Sequence, residues 1–189
     1  MSAHPRTLAD LREAVDRGRR PKYLLFWGHE PRRDGPVGSE CLSQWYAAPF
    51  EADGLRYPTA EHYMMAEKAR LFGDADALAR VLAAPHPGAA KRVGREVRNY
   101  DDVTWSAARF DVVVRGNVAK FEQNGPLRSF LVNTGRRVLV EASPVDRVWG
   151  IGLAAGDERA TRPSAWRGAN LLGFALMEVR ERLGGPHAQ

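Results

Sequence analysis

The distribution of apolar residues predicts an α+β protein, a mainly helical single domain with a small β-sheet. Segments with apolar residues at helical spacing recur along the chain, while short β-prone runs occur at only a few places. The two kinds do not alternate, as a βαβ array would require, and no internal repeat, low-complexity block or linker divides them. A chain of 189 residues is long enough for one substantial core.

Leu8, Leu11 and Val15 repeat at helical spacing, so residues 8–19 are read as a peripheral helix after a polar tail. Tyr23-Leu24-Leu25-Phe26-Trp27, closed by Gly28, reads as a buried strand. Pro31, Arg32, Arg33, Asp34, Gly35 and Pro36 then form a basic loop, either a phosphate clamp or a mobile surface segment. Asp53-Gly54 between two short extended pieces of residues 50–57 is a hairpin signature. A helix follows at once, with Thr59 as N-cap and Gly73 as stop.

Asp74 caps another helix, running to about residue 84, with Pro85 and Pro87 closing it. Residues 89–98 form a further helix whose Lys91, Arg92, Arg95 and Arg98 read as a solvated basic face. Residues 105–121 are a long helical segment, although Val112-Val113-Val114 leaves a strand reading open. Pro126 and Gly135 bracket a helix, and Val138-Leu139-Val140-Glu141-Ala142 reads as a second strand. After a turn-rich stretch, Asn170 is read as the cap of the last helix, which Gly184-Gly185 ends.

An excess of 28 basic over 23 acidic residues gives a formal charge of +5 and a pI near 9.7. Such a balance suits an anionic partner, a nucleotide or a nucleic acid, or equally a generally solvated surface, because the positive charges are scattered. The longest apolar runs fall well short of a membrane span, and the N-terminus has no apolar secretory core, so a cytoplasmic location is expected. Cys41, the single cysteine, makes no internal disulfide or CxxC motif. The five histidines show no metal-ligand spacing, and neither a metal nor a cofactor is expected.

Two charges stand out in the helix after the hairpin. Wound at 100° per residue, Glu61 and Lys68 fall mid-stripe among Met64, Met65, Ala69, Leu71 and Phe72, with His62, Tyr63, Ala66, Glu67 and Arg70 opposite. Seven residues are two turns, so their Cα atoms lie about 10 Å apart along the axis and could flank a small ligand. The alternative is that each pairs with a distant charge or reaches solvent at the core's rim. Only four of the 28 basic residues are lysines, and a lysine can act as an amine nucleophile where an arginine effectively cannot.

Phosphate loops of the G-x-x-x-x-G-K-[ST] kind, H-E-x-x-H, G-x-S-x-G and G-x-G-x-x-G are all missing from the sequence. The residues that remain are a carboxylate and an amine on one helix, Asp146 in a turn beside Trp149, and aromatics able to stack on a base or sugar. Such a set suits cleavage of a glycosidic bond, whose transition state carries positive charge on the sugar and whose leaving group needs an acid. A lysine amine could instead attack the anomeric carbon. Taken alone, Asp146 also fits a turn role, and Trp105 and Trp149 fit core packing.

Leu42-Ser43-Gln44-Trp45-Tyr46 with Pro49-Phe50, then Tyr57-Pro58-Thr59-Ala60-Glu61-His62-Tyr63-Met64-Met65-Ala66-Glu67-Lys68-Ala69, begin a series of motifs. Ala119-Lys120-Phe121, Asn133-Thr134-Gly135, Val140-Glu141-Ala142-Ser143, Asp146, Trp149-Gly150-Ile151-Gly152 and Gly168-Ala169-Asn170-Leu171-Leu172-Gly173 complete it. In this order they resemble the NADAR (YbiA-like) family. The resemblance places a NADAR domain at residues 23–185, after an N-terminal extension with a peripheral helix at residues 1–22.

It implies a YbiA-like fold and an N-glycosidase acting at the anomeric carbon of ribose. The substrates it implies are ADP-ribose on modified guanine in DNA or RNA, or phosphoribosyl-amine intermediates of riboflavin synthesis. It also implies Glu61, Lys68 and Asp146 as catalytic residues, with Ser43, Trp105, Trp149, Gly150, Gly152 and Asn170 binding substrate. Met65 departs from the family, where many members carry glutamine. A non-catalytic reader of nucleotides or nucleic acid remains the rival from another class.

Overall fold

The computed structural model describes residues 4–31 and 35–184. In chain order the elements are α1 (Leu8–Asp16), β1 (Tyr23–Phe26), β2 (Phe50–Ala52), β3 (Leu55–Tyr57), α2 (Ala60–Leu71) and α3 (Ala75–Leu82). There follow α4 (Pro87–Arg95), α5 (Asp102–Gln123), α6 (Gly125–Asn133), β4 (Val138–Glu141) and α7 (Leu171–Gly184). The architecture is mainly helical α+β, as the patterning predicts, but the strands make two separate two-stranded sheets. Arg32, Arg33, Asp34 and Gly185 lie outside the described residues. The chain divides into two compact units, Gln44–Gly125 and Met1–Ser43 with Pro126–Gln189.

In the first of these, Gln44–Gly125, Asp53 (φ 53°) and Gly54 (φ 75°) both take the left-handed conformation that a tight two-residue turn requires. β2 and β3 pair across it in antiparallel register, Phe50 opposite Tyr57. The Thr59 hydroxyl then accepts from the His62 amide to start α2. α2 packs against α3, α4 and α5, which explains a departure from the helical-wheel expectation. His62, Tyr63 and Ala66, assigned to the outer face, are as buried as Met64 and Met65, because helices close around α2 on several sides.

Glu67 of the same face is mostly buried too and pairs with Arg70 and Arg115. Pro87 begins α4 instead of closing α3: a missing N–H costs nothing at a first helical position, and His86 caps the turn through Nδ1. Val112, Val113 and Val114 are helical and buried within α5, where packing overrides their β preference.

In the other unit, β1 and β4 pair in parallel, Tyr23 opposite Val138 and Phe26 opposite Glu141. α7 lies on β4 at very close range: a Cβ on Gly173 would stand 2.1 Å from the Leu139 carbonyl oxygen. Asn170 does not cap α7 with its side chain. Its backbone is left-handed (φ 55°), and its amide turns to β4, Oδ1 accepting from Glu141 N at 3.0 Å and Nδ2 donating to Leu139 O at 2.9 Å. The edge of β4 is thereby satisfied by a side chain where another strand would otherwise serve.

Candidate active site

The α2 residues singled out by pattern are both withdrawn from water. Glu61 is 2% exposed in the first turn of α2, where the helix dipole favours negative charge, and its amide donates to the Gln44 carbonyl at 3.0 Å. Lys68, seven residues on, is half-buried. Its Nζ donates to the Gly94 carbonyl at 2.7 Å and lies 4.1 Å from the centroid of the Tyr100 ring and 5.8 Å from that of Trp105. Burial lowers the Lys68 pKa from the usual lysine value, against the opposing pull of the Asp102 carboxylate.

Three elements hold this amine: α4 gives the Gly94 carbonyl, the α4–α5 connection gives Tyr100, and α5 gives Trp105. Gly94 lies close against Met65: a Cβ there would meet Met65 Sδ at 2.0 Å, so that side chain would have to shift. Met65, the position that departs from the family, thus packs beneath the carbonyl that binds Lys68. The Tyr100 hydroxyl donates to Asp102 Oδ1 at 2.8 Å, so ring and carboxylate around the amine are tied together.

Around Glu61 the structure adds residues that composition did not single out. Asn117 Nδ2 donates to Val113 O at 2.9 Å and to Gln44 Oε1 at 2.7 Å, which fixes how the Gln44 amide is turned. Gln44 Nε2 is then a buried donor with no hydrogen-bond partner among the described residues. Lys120, one turn after Asn117, is wholly buried beside the rings of Tyr46 and Phe121. His62 shares Nδ1 with Thr59 Oγ1 and Nε2 with Ala84 O, and burial lowers its pKa.

The remaining expected residues belong to the other unit. Asp146 Oδ1 accepts from the amides of Val148 (2.8 Å) and Trp149 (2.7 Å), while its own amide donates to Ser143 Oγ. The loop is closed by Gly152 N donating to Asp146 O and Ile151 N to Glu141 O, each at 3.0 Å. Gly150 leaves no room for a side chain, with Glu141 O 2.9 Å from where a Cβ would stand, and Gly152 takes φ 68°. Trp149 and Ser43 are partly exposed, whereas Asn170 is fully buried with both ends of its amide used.

Among the described residues, one group has atoms close enough to share a metal ion: His4, Glu178 and Glu181, within 4.8 Å of one another. The N-terminal segment brings His4 there, which spacing alone did not foretell. Both carboxylates are already engaged, Glu178 with Arg6 and Arg182, and Glu181 with His4.

The fold is mainly helical α+β, with a buried carboxylate and a caged amine on one helix, α2. The NADAR domain model matches residues 25–184, and the chain belongs to the NADAR domain family. The chain is 39% identical to an N-glycosidase of Acanthamoeba polyphaga mimivirus over 165 residues, 85% of this chain and 95% of that protein. It is 33% identical over 142 residues to N-glycosidase YbiA of Escherichia coli K12, 75% of this chain and 80% of YbiA.

The NMR structure of E. coli YbiA superposes with a TM-score of 0.69 at 28% identity, over 87% of this chain and 86% of that one. A riboflavin biosynthesis protein of Vibrio vulnificus is 34% identical over 75% of this chain, which spans only 35% of that protein.

Proposed function

We propose that this protein is an N-glycosidase that hydrolyses the bond between a nitrogen and the anomeric carbon of ribose, and that its substrate is ADP-ribosylated guanine in nucleic acid. The observation that carries the reading is Lys68: an amine gripped by a carbonyl and two aromatic rings, with its charged form disfavoured by burial. Relatives named N-glycosidase support the reaction class, and the family resemblance supplies the substrate.

In the proposed course, the neutral Lys68 amine forms a bond to the anomeric carbon as the bond to the guanine nitrogen breaks, and that nitrogen takes a proton from a carboxylic acid. Ring opening gives a Schiff base, which water cleaves with a carboxylate as base, returning free ADP-ribose and the lysine amine. Glu61 and Asp146 are assigned these acid and base roles, Asp146 by its family position. Partly exposed Trp149 offers a stacking surface, buried Trp105 backs the Lys68 amine, and Ser43, Gly150, Gly152 and Asn170 shape substrate binding. A phosphorylated riboside of riboflavin synthesis is the second reading, favoured by the likeness to the Vibrio protein.

Incubation with guanosine-ADP-ribosylated DNA is expected to release ADP-ribose, and a parallel assay on a phosphoribosyl-amine decides between the substrates. No turnover of either at high enzyme excess would sink the reading. Borohydride is expected to trap a covalent adduct in the wild type and none in Lys68→Arg, with a loss of activity on the order of a hundredfold or more. Full activity of Lys68→Arg would remove the amine from the chemistry.

A further inference from the structure

The N-terminal extension lines one side of a cavity. Within the unit that contains β1, β4 and α7, this cavity of about 910 Å³ opens beside α1, at the upper end of the range of ligand pockets. Its wall is strongly positive: Arg19, Arg20, Lys22, Arg136, Arg137 and Arg180 line it, against the single carboxylate of Glu181, which already holds His4 at 3.0 Å. Its floor is apolar, from the buried side chains of Leu11, Val138 and Met177. None of Glu61, Lys68 or Asp146 is among the residues that line it.

Arg180 decides what such a cavity accepts. It is 9% exposed, and its guanidinium donates to Thr134 Oγ1 at 2.8 Å and to the Arg137 carbonyl at 2.9 Å, both neutral. Arg137 donates to the carbonyls of Thr134 and Asn133, again neutral. Neither arginine makes a salt bridge among the described residues. A buried cation whose partners are all neutral is incompletely compensated, and an anion entering the cavity would complete it. Burial, and then the neighbouring Arg137 charge, disfavour the charged form of Arg180, and the Glu181 carboxylate, which makes no salt bridge with it among the described residues, offsets them only in part.

We propose that this cavity binds a small phosphorylated ligand with an apolar or aromatic body, of mononucleotide size, its phosphate held by Arg180, Arg137 and the basic rim. The mixed lining selects for this class: inorganic phosphate leaves the apolar floor unused, and an uncharged nucleoside brings no anion to Arg180 and Arg137.

Calorimetric titration of the full chain with AMP, adenosine and a ten-residue oligothymidylate tests this. AMP is expected to bind the wild type and Glu61→Gln alike, which separates this cavity from α2. Its affinity is expected to fall at least tenfold in Arg20→Ala/Arg136→Ala, whose side chains are exposed and whose fold is checked by circular dichroism. Adenosine is expected to bind at least tenfold more weakly than AMP. AMP is also expected to raise the Tm of the wild type and to lose that increment in Arg137→Ala, an independent readout. Equal AMP affinity in wild type and double variant, equal binding of adenosine, or binding of the oligonucleotide through these arginines without binding of AMP would each overturn the proposal.

Discussion

The Lys68 amine is held between a backbone carbonyl and the faces of Tyr100 and Trp105, and the Asp102 carboxylate is the charge that opposes the effect of burial. The sign of a substitution follows. Burial lowers the lysine pKa and Asp102 raises it, so Asp102→Asn removes the raising contribution and lowers the pKa further. The rising limb of the activity–pH profile, which tracks the neutral amine, is expected to move to lower pH in Asp102→Asn; a profile unmoved or displaced upward would contradict this.

Asp74 offers a second test. Its carboxylate accepts from Ala77 N, Arg98 N and the Arg98 guanidinium, which holds its pKa far below the usual aspartate value. A depressed carboxyl pKa contributes stability above the unfolded-state value, and that contribution is lost as pH falls toward the folded-state value. Asp74→Asn is therefore expected to have a lower Tm at neutral pH and a shallower decline of Tm in acid, read by thermal melts across pH. Residues of this kind differ in legibility. Glu61 and Lys68 were visible because a charge interrupts an apolar stripe. The pairing of Gln44, itself part of a family motif, with Asn117 is not visible, because it joins two segments 73 residues apart. Lys120 was read only as part of a family motif.

At the scale of elements, α2 is central to its unit because α5 can approach it closely. A Cβ on Gly116 would lie 2.4 Å from Tyr63 Cδ1, and the ring is itself packed edge-on against Tyr57 with centroids 5.2 Å apart. A buried ring cannot yield as a flexible chain end can. Gly116→Ala is expected to destabilise the protein by about 1–3 kcal/mol in denaturant unfolding, overpacking outweighing alanine's better helix propensity. A stabilised variant would mean that α5 moves away from α2 at little cost.

The hairpin and the cap of α2 were readable because Asp53-Gly54 and Thr59 act locally, within a few residues. Pro87 and the Asn170 side chain depart from the sequence expectation for opposite reasons. Pro87 lies where one helix's stop is also the next one's start, and Asn170 spends its amide on β4, about thirty residues earlier in the chain.

At the scale of the molecule, the helices α2 to α5 and the β2–β3 hairpin form one continuous stretch, Gln44–Gly125, whose internal packing centres on α2. A fragment of residues 44–125 is expected to show helical circular dichroism and a cooperative thermal transition; a gradual, featureless melt would show that this stretch needs the rest of the chain. The other unit is discontinuous, and β1 meets β4 only across 115 positions of sequence (138 − 23).

That parallel pairing sets an order of events on the ribosome. β1 leaves the exit tunnel early but has no partner strand until residues 138–141 have been made, and the α7 face that covers β4 comes later still. Helices α2 to α5 are all made in the interval, so β1 stays an unpaired N-terminal strand throughout their synthesis. The exposed edge of that strand, not the helices, is where a translating chain is open to mispairing.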